Sequence, residues 1–267
     1  MKIAFVHFHD TSNVGDILCN PFNYFDWSKH ECQSFDIFKW KQRVPIDMLI
    51  FGGGGMLHTQ VDDAMRTALH EAKELNPDCK VIMWGVGSNY HHMCHGHWHE
   101  WLKEFDVVGL RDRTNPFHYV PCASCMHSEF AIHRPRPNEA YVMYYHDDFP
   151  LDLPHPRMSN FETSDMKLIV DFLSKGHVVL TNSYHGAYWS MLIQKPVIVM
   201  NAWMSRFFAG LPWHGVYANE KNYVEMTGSA ILNVAPRLLL DDCRKRNQEF
   251  YDLLMRDAND PSEPRLV

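Results

Sequence analysis

Short apolar runs, separated by glycine-rich and polar loops, set the pattern of the first half of the chain. Continuous apolar runs with β-branched residues are typical of strands buried on both faces of a sheet. Such runs occupy 2–8, 47–51, 80–84 and 107–110. Helices are predicted after Asn13 and over 62–75, where Asn76-Pro77 ends the pattern. The alternation predicts an α/β fold with a parallel sheet, whose ligands bind at the carboxyl ends of the strands.

The same alternation restarts beyond a proline-rich stretch, His133–Glu139, which we interpret as a linker. Strands are predicted over 140–145, 177–181 and 196–201. Helices are predicted over 164–175, 186–193 and 236–257. We therefore expect two domains, 1–134 and 135–267, each built on a parallel sheet, with the last helix in the second domain.

Composition narrows the class of protein. Of the 267 residues, 46% are hydrophobic and 13% aromatic, which is typical of a folded globular protein. With 25 basic and 32 acidic residues the net charge is −7, and the absence of a basic run argues against a nucleic-acid partner. No apolar stretch is long enough to span a membrane, and the first apolar segment is too short for a secretory signal. Seven scattered cysteines fit reduced thiols, so we expect a cytoplasmic protein.

Two groups of candidate residues follow strands of the first half. The Gly52–Gly55 loop brings backbone N–H groups close to a ligand without hindrance, so Gly53, Gly54 and Gly55 are candidate anion-binding residues. A tight turn is the alternative interpretation of this loop. Asp16 is a candidate general base or sugar-hydroxyl ligand, and equally a carboxylate that complements the dipole of a helix.

Two arginines follow a further strand of this half. Arg111 and Arg113, on either side of Asp112, can each hold a carboxylate or phosphate through two parallel hydrogen bonds. An internal ion pair with Asp112 is the alternative. Both arginines are therefore candidate donor-binding residues.

In the second half, the strand over 177–181 runs into a polar segment with a histidine. Asn182, Ser183 and the N–H groups of the following helix can form an anion pocket. His185 is the group in this segment whose charge can change near neutral pH, which makes it a candidate general acid or cationic phosphate ligand. A histidine with a purely structural role is the alternative.

Two clusters of potential metal ligands remain. Cys122 and Cys125 have the spacing of half a zinc site, and the segment His91–His99 is rich in histidine. No second pair with regular spacing completes a tetrahedral site, so neither a metal nor another cofactor is predicted. We interpret the cysteines as a buried reduced pair and the histidine-rich segment as a loop beside the acceptor.

Several of these segments occur together, and in the same order, in one family. The chain resembles the polysaccharide pyruvyl transferase family in Asn13-x-Gly15-Asp16, Gly52–Leu57, Gly85-x-Gly87, Leu110–Asp112 and Ser183–Gly186. The resemblance extends from Lys2 to Asn201 and rests on the order and spacing of the motifs, because each motif alone is short.

The resemblance implies two Rossmann-like halves with a cleft between them, similar to the two-domain glycosyltransferases of the B type. It also implies transfer of a pyruvyl group from phosphoenolpyruvate onto two hydroxyls of a sugar, which forms a cyclic ketal on a surface or extracellular polysaccharide. By resemblance, His185 matches the active-site histidine, Asp16 the early aspartate, and Arg111 or Arg113 an arginine that holds the donor. The implied partners are a small-molecule donor and a saccharide acceptor, which can belong to a membrane-linked glycan.

One departure from the family keeps other functions open. The family often has an arginine two residues before the histidine, and Ser183 stands there, with Arg206 as the candidate replacement. A nucleotide-sugar-dependent glycosyltransferase on the same scaffold is therefore the alternative. A non-catalytic sugar-binding protein, with aromatic residues of 203–217 stacked on sugar rings, is a third interpretation.

Overall fold

A computed structural model of the chain describes residues 1–41, 43–89, 100–113, 115–134, 136–202 and 206–259. The elements of the first half are β1 (Lys2–His7), α1 (Val14–Leu18), β2 (Glu31–Asp36), β3 (Met48–Gly52), α2 (Thr59–Leu75), β4 (Lys80–Val86), β5 (Val107–Leu110) and β6 (His118–Tyr119). Those of the second half are β7 (Glu139–Tyr145), β8 (Arg157–Ser159), α3 (Met166–Lys175), β9 (Gly176–Thr181), α4 (Tyr184–Leu192), β10 (Val197–Met200), α5 (Arg206–Ala209), β11 (Val216–Ala218), α6 (Tyr223–Leu232) and α7 (Leu239–Asn259). Every helix and strand that the apolar pattern predicts is present, with ends that differ by a few residues.

The first sheet contains parallel strands in the order β2-β1-β3-β4-β5-β6. Ile3 pairs with Met48 across β1 and β3, and Leu49 pairs with Val81 across β3 and β4. Every residue of β3 is buried, as its unbroken apolar run predicts. The apolar side of α2 covers one face of this sheet.

The second sheet contains parallel strands in the order β11-β10-β9-β7-β8. Val142 and Val179 face a core formed with α3 and α4. Their neighbours Met143 and Leu180 face the opposite side, where α6 packs, because successive side chains of a strand point to opposite faces. The expected α/β class, with two Rossmann-like halves on parallel sheets, is confirmed.

In each sheet, the strands that follow the first strand are added on both sides of it. β1 lies between β2 and β3, and β7 lies between β8 and β9. The loops that follow β1 and β3, like those that follow β7 and β9, therefore separate at a crevice, where parallel sheets bind their ligands. The topology alone selects 8–13, 53–58, 146–156 and 182–183 as the loops of interest.

The last helix joins the second half to the first sheet. Phe250 and Leu254 of α7 lie in the core on the face of the first sheet that α2 leaves open. The indole N–H of Trp84, in β4, donates to Oδ1 of Asn247 at 2.8 Å. From the sequence we expected this helix to belong to the domain 135–267, but its face with Phe250 and Leu254 packs against the first sheet. The boundary between 134 and 135 itself stays a prediction.

The sequence pattern missed the edge strands β2, β6, β8 and β11 and the helices α5 and α6. The sequence of β2, ECQSFD, has the polar residues of an edge strand rather than a buried run. β6, β8 and β11 span two or three residues each. In α6, Val224, Ile231 and Leu232 are exposed, so its sequence has no clean apolar stripe.

Among the helices of the described ranges, none combines the length and the apolarity that crossing a lipid bilayer requires. The six cysteines in these ranges are free thiols, and five of them are buried. A cytoplasmic location stays a prediction.

The contribution of α7 to the first sheet is tested by Phe250→Ala. Truncating a buried aromatic side chain costs about 3–5 kcal/mol, so we expect the free energy of unfolding in denaturant titrations to fall by that amount. Leu238→Ala, which changes a 71% exposed side chain just before the helix, is the control and should lie within about 0.5 kcal/mol of the wild type. If Phe250→Ala is as stable as Leu238→Ala, the packing of α7 does not stabilise the first sheet.

Candidate functional site

A cavity of about 290 Å³ lies where the crevices of the two sheets meet. The first half lines it with Phe8, Thr11, Asn13, Asp16, Gly55, Asn89 and Arg111. The second half lines it with His146, Asp148, Phe161, Ser183, Tyr184, His185 and Arg206. Most of these residues follow the strands on either side of the two switch points, so the topology of the sheets accounts for the position of the cavity.

Hydrogen bonds at the N-terminus of helix α1 connect it to the second half of the chain. Asn13 caps the helix by accepting a hydrogen bond from the backbone N–H of Gly15 at 3.1 Å. Its Oδ1 accepts a second bond from the side-chain amide of Asn160 at 3.0 Å. The backbone N–H of Val14 donates to the carbonyl of Asn160 at 2.9 Å. These bonds fix the position of α1, and with it the side chain of Asp16, against the second half.

The Asp16 carboxyl titrates close to neutral pH. Burial raises the pKa of Asp16 to about 6, against the opposing effect of the Arg206 and Arg111 charges. In the described part of the chain no side chain hydrogen-bonds to its oxygens, which face the cavity. A carboxyl with this pKa can both give and take a proton near neutral pH.

His185 reaches the cavity from the first turn of α4. The hydroxyl of Ser183 caps this helix by accepting a hydrogen bond from the backbone N–H of Gly186 at 3.4 Å. The imidazole lies directly against Gly15, where a Cβ would be 2.1 Å from Nδ1. The glycine at position 15 is therefore required by a side chain from the other half of the chain.

The His185 imidazole is neutral in the free protein. Burial, reinforced by the positive charges of Arg111 and Arg206 and by His146, holds the pKa of His185 well below its usual range. A neutral imidazole offers one N–H and one lone pair. It therefore acts as a hydrogen-bonding group rather than as a cation.

Arg111 is almost completely buried, with 1% of its surface exposed. Its guanidinium stacks on Tyr184, with Cζ 3.8 Å from the ring centroid. It also passes over Gly87, where a Cβ would be 2.2 Å from Nε. Among the described residues, neither Nε nor Nη1 has a hydrogen-bond acceptor. A buried donor without an acceptor is costly, and the positive charge of Arg111 at the cavity wall favours an anion in that cavity.

A second guanidinium lines the same cavity. Arg206 begins α5, and within the described ranges its buried Nε also has no hydrogen-bond partner. Burial and the charge of Arg111 lower the pKa of Arg206 to about 10, and the charge of Asp16 acts in the opposite direction. Two cations that share a cavity repel one another, and a bound anion relieves that repulsion. Arg111 and Arg206 together form a positively charged wall of the cavity.

The loop after β7 adds residues that the sequence analysis did not single out. His146 donates its backbone N–H to Oδ1 of Asn182 at 2.9 Å, and its Nδ1 lies 3.6 Å from Oδ2 of Asp148. Burial and the charge of Arg206 lower the pKa of His146. Its ring is 5.9 Å from that of Phe161, which also lines the cavity. The sequence offered one indication of this residue: His146 directly follows a predicted strand, at the sheet edge that also carries His185.

Five of the nine residues predicted for the site line the cavity: Asp16, Gly55, Arg111, Ser183 and His185. They belong to separate segments of the chain that meet because all of them lie at the carboxyl ends of parallel strands. Their placement agrees with the expectation, and their chemical roles stay predictions.

Gly53 and Gly54, predicted as donor ligands, do not line the cavity. Both have positive φ, 73° and 75°, and fold the loop against α1, where a Cβ on Gly53 would be 2.3 Å from the carbonyl oxygen of Cys19. The carbonyl of Gly54 accepts a hydrogen bond from the backbone N–H of Gly87 at 3.0 Å. The two residues form the tight turn that was the alternative, and of the three predicted glycines Gly55 lines the cavity.

Arg113 and Asn182 were also predicted as donor ligands and also lie outside the cavity lining. The guanidinium of Arg113 is exposed and lies 5.5 Å above the ring of Tyr119. Asn182 joins two stretches of one loop, since it accepts from the N–H of His146 and donates to the carbonyl of Phe149 at 2.6 Å. We therefore leave both residues out of the candidate donor site.

In the described part of the chain, no three His, Cys, Asp or Glu side chains gather closely enough to hold a metal ion. Cys122 and Cys125 are buried in and beside a short 3-10 helix, Ala123–Met126. The histidine-rich segment His91–His99 lies outside the described residues.

Comparison with known proteins adds little to this description. No family model and no curated protein matches the chain. A crystal structure of a functionally uncharacterized protein from Klebsiella pneumoniae subsp. pneumoniae NTUH-K2044 is similar in fold, with 14% sequence identity and a TM-score of 0.47, over 75% of this chain and 83% of that chain. The likeness assigns no activity to the chain.

The raised pKa of Asp16 predicts a pH-dependent stability. Because folding raises this pKa from 3.8 to about 6, the contribution of Asp16 is greatest below the unfolded-state pKa and is lost as the pH rises through 6. Asp16→Asn is neutral throughout, so its stability relative to the wild type should improve by about 2.5 kcal/mol between about pH 4 and about pH 7.5.

Urea unfolding of both proteins at the two pH values measures this difference. Asp148→Asn, which removes an exposed carboxylate from the same cavity, is the control. A stability difference between Asp16→Asn and the wild type that is the same at both pH values would show that Asp16 titrates as an ordinary surface carboxylate.

Proposed function

We propose that the chain transfers a pyruvyl group from phosphoenolpyruvate onto two hydroxyls of a saccharide. The observation that carries this proposal is a pair of guanidinium groups in one cavity, a buried Arg111 and a partly buried Arg206. In the described ranges Nε and Nη1 of Arg111 and Nε of Arg206 lack hydrogen-bond acceptors. Phosphoenolpyruvate carries a phosphate and a carboxylate. Two guanidinium groups suit two such anions, because each can bind one through paired charge-assisted hydrogen bonds.

The size of the cavity supports a small donor. Its volume of about 290 Å³, measured over the described residues, is at the lower end of the roughly 300–1,000 Å³ that ligand pockets span. Phosphoenolpyruvate is a three-carbon acid with one phosphate, whereas a nucleotide sugar adds a base, a ribose, a second phosphate and a hexose. The smaller donor therefore fits better.

Arg206 supports the proposal where the sequence departs from the family. The family often places an arginine at the position of Ser183, whose hydroxyl here caps α4. Arg206 reaches the same cavity from α5. A guanidinium supplied by a different element can meet the same electrostatic need, so Ser183 does not remove the basis for an anionic donor.

Asp16 is the group that we propose to move the proton. In the first step a sugar hydroxyl adds across the carbon–carbon double bond of the donor, so that its oxygen bonds to the carbon bearing the phosphate. Protonated Asp16, whose pKa is raised by burial to about 6, gives its proton to the methylene carbon. The resulting carboxylate then takes the proton of the hydroxyl, and no net proton is gained or lost.

The second step closes the ketal. A second hydroxyl of the same sugar displaces the phosphate from that carbon, and its proton leaves with the phosphate. The leaving phosphate gathers negative charge, which Arg111, Arg206 and an N–H of neutral His185 can stabilise in a site shielded from water. His185 is thus proposed as a neutral phosphate ligand, whereas its sequence position led us to expect a general acid or a cationic phosphate ligand.

The rim suits a saccharide acceptor. Phe161, one-third exposed, offers an aromatic face to a sugar ring, and Asp148 offers an exposed carboxylate to its hydroxyls. Asp148 lies on the loop that follows β7, and Phe161 lies just after β8, so the second half supplies both.

Calorimetric titration with phosphoenolpyruvate tests the donor. Arg206→Met removes one guanidinium from the cavity and should weaken binding about 10- to 100-fold, because a hydrogen bond to a charged group is worth about 1.5–3 kcal/mol. Arg113→Met removes an exposed guanidinium outside the cavity and is the matched control, with binding equal to that of the wild type.

Equal loss in both variants would indicate attraction by general charge and not by this cavity. Binding of nucleotide sugars without binding of phosphoenolpyruvate would replace the proposal with the glycosyltransferase alternative. Binding of neither donor would favour the non-catalytic sugar-binding interpretation.

A further inference from the structure

We propose that a buried hydrogen-bond relay, from Trp189 through Ser124 and Cys122 to His185, fixes the tautomer in which His185 carries its proton on Nδ1. Cys122 is then a positioning residue, because it acts through the imidazole. The consequence for donor binding rests on the proposed function, whereas the tautomer itself does not.

The relay consists of three contacts in the core between the two halves. The indole N–H of Trp189 donates to Oγ of Ser124 at 3.0 Å. Oγ of Ser124 is 3.2 Å from Sγ of Cys122, and that Sγ is 3.5 Å from Nε2 of His185. Trp189, Ser124 and Cys122 are completely buried. Solvent therefore offers no substitute partner for their polar groups.

The direction of the first two bonds follows from the chemistry of the groups. An indole N–H can only donate, so Ser124 accepts from Trp189 and its own hydroxyl proton needs an acceptor. Among the described residues, Sγ of Cys122 is the acceptor within reach. The hydroxyl of Ser124 therefore donates to Cys122.

The direction of the last bond follows from the state of the thiol. Burial raises the pKa of Cys122, so the thiol keeps its proton at neutral pH and its S–H can donate to Nε2 of His185. Nε2 is then unprotonated. A neutral imidazole has one protonated nitrogen, so the proton lies on Nδ1.

The opposite direction leaves a buried donor unsatisfied. If His185 donated from Nε2 to Cys122, and Cys122 donated to Ser124, the Ser124 oxygen would accept two hydrogen bonds. Its own proton would then have no acceptor among the described residues. Burying a hydroxyl proton without an acceptor is unfavourable. The direction that ends on His185 satisfies every donor in the relay.

The tautomer decides what His185 offers to an anion. With the proton on Nδ1, the ring presents an N–H beside Gly15, at the cavity wall that also carries Arg111 and Arg206. A bound phosphate or carboxylate gains a third donor from this N–H. The other tautomer would turn a lone pair toward the same anion and repel it.

Nitrogen-15 imidazole spectra of the full chain test the relay without any substrate. His185→Gln identifies the His185 signals by their loss. At about pH 7.5, where the ring is neutral, we expect a protonated Nδ1 and an unprotonated Nε2 in the wild type. Cys122→Ala removes the S–H and leaves Nε2 without a partner, so protonated Nε2 should appear beside protonated Nδ1, whereas Cys122→Ser keeps a donor and should retain the wild-type tautomer.

Cys125→Ala is the matched control. Cys125 is a buried thiol three residues away whose Sγ accepts a hydrogen bond from Asn247 at 3.4 Å. Its removal should leave the His185 signals unchanged. The wild-type spectrum decides the tautomer by itself, so the relay remains testable if a variant fails to fold.

Two results would overturn the relay: a protonated Nε2 in the wild type, or a His185 tautomer that Cys122→Ala does not change. Adding phosphoenolpyruvate to the same samples separates the two proposals. If phosphoenolpyruvate binds and Nε2 is protonated, the relay is wrong and the proposed function is retained. The expected tautomer without donor binding supports the relay and counts against the proposed function.

Discussion

Two guanidinium groups that share one cavity, a buried one and a partly buried one, are the constraint on which the site depends. Arg111 and Arg206 form no ion pair with a carboxylate of the described residues, and buried N–H donors of both lack acceptors. Burying a charge without a partner is unfavourable, and the aromatic face of Tyr184 and the nearby charge of Asp16 offset only part of that cost. Burial keeps His185 neutral and raises the pKa of Asp16; the same two charges reinforce the first effect and limit the second. Burial and the two arginines together thus set the protonation state of each candidate catalytic group.

The arrangement is possible because glycine stands at two points of close approach, one between the two halves and one within the first half. A side chain at position 15 would occupy the place of the His185 imidazole, and one at position 87 would occupy the place of the Arg111 side chain. Helix α7 and the segment that carries Cys122 then hold the first sheet against the second half. The cavity is therefore a product of the interface between the two sheets rather than of either sheet alone.

Much of this architecture could be predicted from the sequence, and the reasons for the remainder are physical. Strand ends placed Asp16, Arg111 and His185 at sheet edges, because buried parallel strands have clear apolar patterns. The same reasoning also predicted Arg113 as a site residue, because the end of a strand in the sequence does not show whether the side chain that follows faces the cavity. Arg206 lies on a four-residue helix that no apolar pattern marks.

Other features depend on contacts between distant segments. The sequence predicted that Gly53 and Gly54 bind an anion. In the structure Cys19 packs closely against Gly53, and the two glycines form a tight turn. The pairing of Gly15 with His185, and the relay that ends on this histidine, join residues from opposite halves of the chain. Local patterns carry no information about such pairs, because each partner is an ordinary residue in its own segment.

A crystal structure of the protein with bound phosphoenolpyruvate tests the central claim most directly. The account predicts the donor's phosphate and carboxylate oxygens in the cavity, about 2.7–2.9 Å from guanidinium nitrogens of Arg111 and Arg206. A structure in which both guanidinium groups pair with protein carboxylates, and the donor lies elsewhere or is absent, would contradict it.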